Sequence, residues 1–312
     1  MKIGFVFPGQ GSQAVGMLDS FEGNDAVAEV LREASAALGR DVGVLIRSGP
    51  AEELSLTVNT QPVMLTAGYA VYRAWRAAGG AEPAVVAGHS LGEYTALTAA
   101  GALSLADAVK LVRFRAQAMQ EAVPVGQGAM AAILGLSDEQ VRQACDEAAA
   151  GDVVEPVNFN APSQVVIAGQ AAAVARACEA AKRLGAKRAL PLPVSAPFHS
   201  SLLRPASDRL RAYLADVQLN APSIPLVNNV DVAVEGEPGR IVDALARQAA
   251  SPVRWVETIQ RMAADGVTHV VECGPGRVLA GLTRRIAPAL ESIAIADATG
   301  LDEALARLGA VA

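Results

Sequence analysis

One serine lies in a pattern that is typical of a catalytic nucleophile. The motif Gly88-His89-Ser90-Leu91-Gly92 follows a short apolar run at residues 84–87 and precedes an alanine-rich helical pattern. A G-x-S-x-G motif needs this context of strand, turn and helix, because the turn exposes the serine hydroxyl at the carboxyl end of the strand. The N-terminus of the helix directs its partial positive charge to the same place. We therefore predict that Ser90 is a nucleophile and that the Leu91 amide is an oxyanion donor, with a purely structural turn as the alternative.

A serine nucleophile needs a base, and the sequence holds three histidines. His89 adjoins the serine and is expected to point away from it, and His269 lies inside the apolar run of a predicted strand. His199 lies in Pro197-Phe198-His199-Ser200, a loop that leads into a helix, and catalytic groups gather on such loops. By elimination His199 is the predicted base, with surface capping as the alternative. No acidic residue between Ser90 and His199 stands out in a predicted strand-end loop, so a carbonyl of the backbone or of a side chain is expected to orient the imidazole in a dyad.

A second glycine loop, Pro8-Gly9-Gln10-Gly11-Ser12-Gln13, follows the first predicted strand at residues 3–7. In a parallel sheet this loop opens at the same edge as Ser90. The Gln10 amide is then the second predicted oxyanion donor, and a tight turn without function is the alternative. Because the spacing is not G-x-G-x-x-G, the loop gives little support to nucleotide binding.

Composition narrows the classes of function. The chain has 312 residues, of which 52% are hydrophobic and 19% charged, as in a globular protein with a sizeable core. A net charge of −6 without a run of Lys or Arg argues against a nucleic-acid partner. The three scattered cysteines indicate neither a disulfide framework nor a metal site. The first apolar run stops at Pro8 and none reaches about 18 residues, so we expect no signal peptide, no membrane span and a cytoplasmic location.

The elements that must position these residues indicate an α/β fold. Strands alternate with helical patterns at about residues 62–78, up to 100 and 104–122, which predicts a parallel sheet covered on both faces. Residues 126–194 have the order β-α-β-β-α-β, which is ferredoxin-like. We predict that they form a small α+β domain inserted into a large body of residues 1–125 and 195–312. The α/β pattern resumes with helices at about 200–215, 239–249 and 254–265 and with strands at 224–230 and 267–272.

Four motifs occur together in order, and together they resemble one family. They are Gly9-Gln10-Gly11-Ser12-Gln13, Gly88-His89-Ser90-Leu91-Gly92-Glu93, Val194-Ser195-Ala196-Pro197-Phe198-His199-Ser200 and Glu272-Cys273-Gly274-Pro275-Gly276. Over nearly its whole length the chain is similar to the malonyl-CoA:acyl-carrier-protein transacylases of bacterial fatty-acid synthesis. The resemblance implies an α/β-hydrolase-like body with an inserted ferredoxin-like domain. It also implies ping-pong transfer of malonyl from malonyl-CoA, a substrate, to the phosphopantetheine thiol of an acyl carrier protein, with no cofactor and no metal; we expect a monomer.

The resemblance assigns the central roles by motif. Ser90 matches the nucleophile and His199 matches the base. Gln10 and Leu91 match the two oxyanion-hole amides. Arg115 matches the arginine that binds the malonyl carboxylate, although on the sequence alone a helical arginine is usually solvated.

Three further positions match residues of the family's pocket. Gln248, four residues before Pro252-Val253-Arg254-Trp255, matches the residue whose main-chain carbonyl holds the histidine. Relatives also carry Asn there, so the carbonyl is the stronger part of this match. Gln61 matches a pocket glutamine. Phe198 resembles the version associated with malonyl, which implies a cavity too short for an α-methyl branch.

Alternatives stay open at this stage. A thioesterase or esterase would use the same serine but release the acyl group to water. A non-catalytic module that binds acyl carrier protein would not need both Ser90 and His199. Within the transferases, a stand-alone malonyl loading enzyme for polyketide synthesis or malonate decarboxylation has the same sequence features.

Overall fold

The structure, a computed structural model, describes residues 1–194 and 196–309. Ser195, which belongs to the third motif and to the predicted domain boundary, lies outside the described residues. The strands are β1 (Ile3–Phe7), β2 (Val85–Gly88), β3 (Gly128–Leu134), β4 (Val154–Ala161), β5 (Gln164–Gln170), β6 (Arg188–Pro191), β7 (Leu226–Val227), β8 (His269–Cys273) and β9 (Glu291–Ile295).

The helices surround these strands, and single 3₁₀ turns stand at Asp19–Phe21 and Ser201–Leu203. They are α1 (Asp25–Leu38), α2 (Val42–Ser48), α3 (Ala51–Leu54), α4 (Thr57–Ala77), α5 (Gly92–Ala99), α6 (Leu105–Glu121), α7 (Asp138–Ala149), α8 (Ala171–Arg183), α9 (Arg204–Leu214), α10 (Pro238–Gln248), α11 (Trp255–Ala264), α12 (Val278–Ile286) and α13 (Ala298–Leu308). No helix in residues 1–194 and 196–309 is long and apolar enough to cross a membrane.

The larger sheet has five strands in the order β7-β2-β1-β8-β9, and all of its pairs are parallel. β1 is buried along its whole length, since helices cover both faces of the sheet. Phe5 packs on Trp75 of α4 with 5.5 Å between ring centroids, in a core where each buried large side chain contributes about 1.5–3 kcal/mol. Phe7 pairs with Gly88, so the loops after β1 and β2 leave the sheet side by side.

The smaller sheet is antiparallel, with the strand order β4-β5-β3-β6. Together with α7 and α8 it has the predicted order β-α-β-β-α-β. It has an apolar cluster of its own, which includes Ile133, Val141, Val165 and Val174. A parallel sheet with a separate small antiparallel sheet confirms the predicted fold class. The exact domain boundaries stay a prediction.

Several predicted boundaries differ from the structure, and two of the differences have a clear physical reason. The helix predicted to begin at Pro62 begins at Thr57, with Pro62 inside it. Pro62 is the sixth residue of this helix and lies beyond the first turn, so it lacks the N–H that would donate to the carbonyl four residues before it. The helix forms despite this loss, and the proline therefore did not mark its start. The strand predicted over 224–230 contains only Leu226–Val227, because the chain then turns toward the sheet edge where Ser90 lies.

Candidate active site

Ser90 stands on a strained turn between β2 and α5. Its φ is +52°, in the left-handed region that residues other than glycine adopt rarely. The two flanking glycines are required, because a Cβ on Gly88 would overlap the backbone of Gly92, and a Cβ on Gly92 would overlap the Phe7 carbonyl. The Ser90 N–H donates to Asn229 Oδ1 at 2.7 Å, which fixes the turn from outside. The serine is thereby held at the carboxyl edge of the parallel sheet.

His199 contacts this serine directly. The distance from Ser90 Oγ to His199 Nε2 is 2.7 Å, and the distance from His199 Nδ1 to the Gln248 main-chain oxygen is 2.9 Å. A carbonyl oxygen only accepts, so Nδ1 carries the proton and Nε2 is left to accept from the serine hydroxyl. Burial, and second the charge of Arg115, lower the pKa of His199 to about 3, so the imidazole is neutral at pH 7. The pair therefore has the geometry and the protonation state of a nucleophile and its base.

Arg115 is buried beside the pair, with 2% of its surface exposed. Its Nη1 donates to Gln61 Oε1 at 2.8 Å, and its Nη2 donates to Gln248 Oε1 at 2.9 Å and to Ser90 Oγ at 3.1 Å. The guanidinium also lies 5.3 Å from the centroid of the Tyr94 ring. Within the described part of the chain it has no salt bridge. A buried cation with neutral partners next to a nucleophile is suited to bind an anionic group of a substrate.

Two backbone amides face the same edge of the sheet. The loop that contains Gly9 packs so closely on the His89 carbonyl oxygen that a Cβ on Gly9 would lie 2.6 Å from it. The Gln10 side chain accepts from Thr57 Oγ at 2.9 Å, and Leu91 is the N-cap of α5. Across residues 1–194 and 196–309, neither the Gln10 N–H nor the Leu91 N–H has an acceptor. Both are available to stabilise an oxyanion.

A buried polar network supports the serine turn, and the sequence analysis missed it. Asn229 is fully buried, and its Nδ2 donates to the Gly88 carbonyl at 2.7 Å. Its N–H donates to Glu93 Oε2 at 3.0 Å, and Gln248 Nε2 donates to the same oxygen at 2.8 Å. Burial raises the pKa of Glu93 to about 7. The sequence contains two signals for this network. Asn228 and Asn229 follow an apolar run, and Glu93 comes directly after the G-x-S-x-G motif.

In the described part of the chain, no hydrogen bond joins the remaining candidates to the Ser90 hydroxyl or to the His199 imidazole. His89 Nε2 is 2.8 Å from Asn160 Oδ1. His269 begins β8 and pairs with Ile3, so it lies at the amino edge of the sheet, opposite the site. Arg113 is exposed on α6. Phe198 precedes the base and packs against apolar clusters of both the large body and the small sheet.

Comparisons with known proteins agree on one family. Residues 4–299 match the model of the acyl transferase domain. The malonyl CoA-acyl carrier protein transacylase of Escherichia coli (strain K12) is 55% identical over 305 residues, which cover 97% of this chain and 99% of that protein. The crystal structure of the acyl-carrier-protein S-malonyltransferase from Burkholderia pseudomallei 1710b is 67% identical, with a TM-score of 0.97, over 98% of this chain and 100% of that chain. A malonyl-transacylase solved in complex with a type II polyketide acyl carrier protein is 48% identical, with a TM-score of 0.97, over 98% of this chain and 100% of that chain.

Proposed function

The chain belongs to the acyl transferase family, and we propose that it moves malonyl from malonyl-CoA to the phosphopantetheine thiol of an acyl carrier protein. The observation that carries this proposal is the position of the Arg115 guanidinium, which is buried, has neutral hydrogen-bond acceptors in the described part of the chain and lies 3.1 Å from Ser90 Oγ. A nucleophile and a receptor for a carboxylate therefore share one site. Malonyl is an acyl group that ends in a carboxylate.

The first half of the reaction loads the serine. His199 Nε2 takes the hydroxyl proton as Ser90 Oγ attacks the thioester carbonyl carbon. The carbonyl oxygen becomes an oxyanion, and the Gln10 and Leu91 N–H groups donate to it. The carbon–sulfur bond then breaks, the coenzyme A thiolate takes the proton from His199, and malonyl stays on Ser90.

The second half runs the same steps with a different thiol. The phosphopantetheine thiol of the carrier gives its proton to His199 and attacks the malonyl-Ser90 ester, and Ser90 leaves with the proton. One thioester is exchanged for another, so the overall reaction is nearly thermoneutral and reversible. His199 accepts and returns one proton in each half, and it needs no acidic partner, since the Gln248 carbonyl already fixes its Nδ1–H.

The carboxylate receptor also separates this function from hydrolysis. An esterase gains nothing from a buried cation beside its serine, whereas a malonyl transferase uses it to select the substrate. We propose that the transferred malonyl group supplies fatty-acid elongation in the cytoplasm. That the protein is a monomer stays a prediction. Loading of a polyketide carrier is the second candidate, because the similar transacylase at 48% identity was solved with such a carrier.

Intact-protein mass spectrometry tests the proposal. Malonyl-CoA should add one malonyl group to the protein, and phosphopantetheinylated carrier should then remove it and gain the same mass. Ser90→Ala should show no adduct. An adduct that persists in Ser90→Ala, or one that maps to a cysteine, would contradict the serine mechanism, and release of free malonate instead of transfer would favour the hydrolase.

A further inference from the structure

The edge strand of the small sheet contacts all the segments that build the dyad. β4 bonds on one side to β5, and its other side meets the large body at Val253, five residues after Gln248. The Val253 N–H donates to the Val157 carbonyl at 2.8 Å, and the Phe159 N–H donates to the Val253 carbonyl at 3.0 Å. The strand therefore runs alongside the segment that holds His199 Nδ1.

One side chain of β4 also binds the loop that contains His199. Glu155 Oε2 accepts from the Ser201 N–H at 2.7 Å, and Glu155 Oε1 accepts from Ser201 Oγ at 2.7 Å. Ser201 lies two residues after His199 and begins the 3₁₀ turn Ser201–Leu203. His199 itself has φ +67°, a conformation that a residue with a side chain holds only when its surroundings impose it. Because the Glu155 carboxylate accepts hydrogen bonds from both the N–H and the hydroxyl of Ser201, it fixes the chain directly after this strained residue.

Few other bonds reach this loop from outside. In the described part of the chain, the hydrogen bonds that tie residues 196–203 to other segments run to Ser90, to the backbone of Gln248 and Ser251, and to Glu155. The bonds to Ser90, Gln248 and Ser251 all end on the imidazole. Glu155 alone among them holds the backbone that carries the imidazole.

We propose that Glu155 is a positioning residue for His199, through which the small sheet holds the base in line with Ser90. The inference rests on the Ser90–His199 dyad of the proposed function. When Glu155 is removed, the loop loses its backbone anchor and the imidazole drifts from its 2.7 Å contact with the serine. A displacement of about 1 Å at a reacting pair costs about 10²-fold in rate.

The test compares Glu155→Ala and Ser201→Ala with the control Glu147→Ala. Glu147 is an exposed glutamate of the same small domain, and its contacts are to Gln143 and Arg183. Glu155→Ala should lower kcat about tenfold to a hundredfold with an unchanged KM for malonyl-CoA. It should slow the reaction of Ser90 with phenylmethylsulfonyl fluoride by a similar factor, and Tm should stay close to that of the wild type. Glu147→Ala should change none of these.

Two further variants keep the test decisive if Glu155→Ala does not fold. Glu155→Gln retains one acceptor oxygen for the Ser201 N–H and should lose less activity than the alanine variant. Ser201→Ala removes one of the two hydrogen bonds. Where the double variant Glu155→Ala/Ser201→Ala folds, its loss of kcat should be smaller than the two single losses combined. Wild-type kcat in Glu155→Gln and Ser201→Ala, or a rise in KM alone, would overturn the inference. An active His199→Ala enzyme would instead overturn the proposed function, so the two failures are distinguishable.

Discussion

Replacement of Arg115 should change which acyl group the enzyme prefers. The guanidinium is 2% exposed, and its hydrogen-bond acceptors are two amide oxygens and the serine hydroxyl. A malonyl carboxylate provides the opposite charge, whereas acetyl leaves the cation buried without it. Breaking a buried ion pair by removal of one partner costs about 3–5 kcal/mol, which is about two to four orders of magnitude in rate. Arg115→Ala should lose this discrimination, and Arg115→Lys should restore part of it, because a point charge does not reproduce the planar fork.

The assay is kcat/KM for malonyl-CoA and for acetyl-CoA on each variant. The ratio matters more than either value, because Arg115 also donates to Ser90 Oγ and its loss affects the nucleophile with both substrates. Arg113→Ala is the matched control, since Arg113 is exposed on the same helix and points about 200° away from Arg115. An Arg115→Ala enzyme that keeps the malonyl-over-acetyl ratio of the wild type would refute the assignment.

Three further outcomes test the site and its support. His199→Ala should lower kcat/KM by about 10²–10⁴-fold, whereas His269→Ala, at the opposite edge of the sheet, should not; the reverse ranking would identify a different base. Asn229→Ala leaves the Ser90 N–H and the Gly88 carbonyl without their side-chain partner, so urea unfolding should show a free energy of unfolding lower by about 1–3 kcal/mol. A variant as stable as the wild type would contradict the role of the network. Burial raises the pKa of Glu272 from 4.5 to about 7, so its contribution to stability is full below 4.5 and is lost as the pH rises to 7. The free energy of unfolding of Glu272→Gln, taken relative to that of the wild type, should be up to about 3 kcal/mol larger at about pH 8 than at about pH 5. The same difference from the wild type at the two pH values would contradict this assignment.

The parts of the fold that the sequence predicts are those with a strong local signal. The strand, turn and helix around Ser90 follow from one short motif and its apolar flanks. The small sheet follows from the alternation of elements between residues 126 and 194. The helices α1, α2 and α13 were not predicted, although α1 is strongly amphipathic and has Asn24 as a side-chain N-cap. The start of α4 was misplaced because a proline was taken as the first helical residue.

The parts of the site that the sequence does not reveal are contacts between distant segments. Asn229 lies 139 residues from Ser90, and Glu155 lies 46 residues from Ser201. No periodicity or local motif relates such positions, since their contact depends on how the sheets pack. Arg115 shows the same limit, because only the fold turns one helical arginine inward while its neighbour Arg113 stays exposed. Its role was assigned by resemblance, and its burial is a finding of the structure.

The same arginine links substrate selection to the strength of the base. Burial is the main cause of the low pKa of His199, and the charge of Arg115 is the second. A base with so low a pKa is a weak proton acceptor, which works against its own task. A carboxylate bound to Arg115 offsets the second cause and leaves the first unchanged, so the pKa of His199 rises when malonyl occupies the site. Acetyl has no such effect. Discrimination by Arg115 should therefore act on the chemical step through His199 as well as on binding. In Arg115→Ala the second cause is absent with either substrate, so the part of the malonyl-over-acetyl ratio of kcat that comes from the pKa of His199 should disappear.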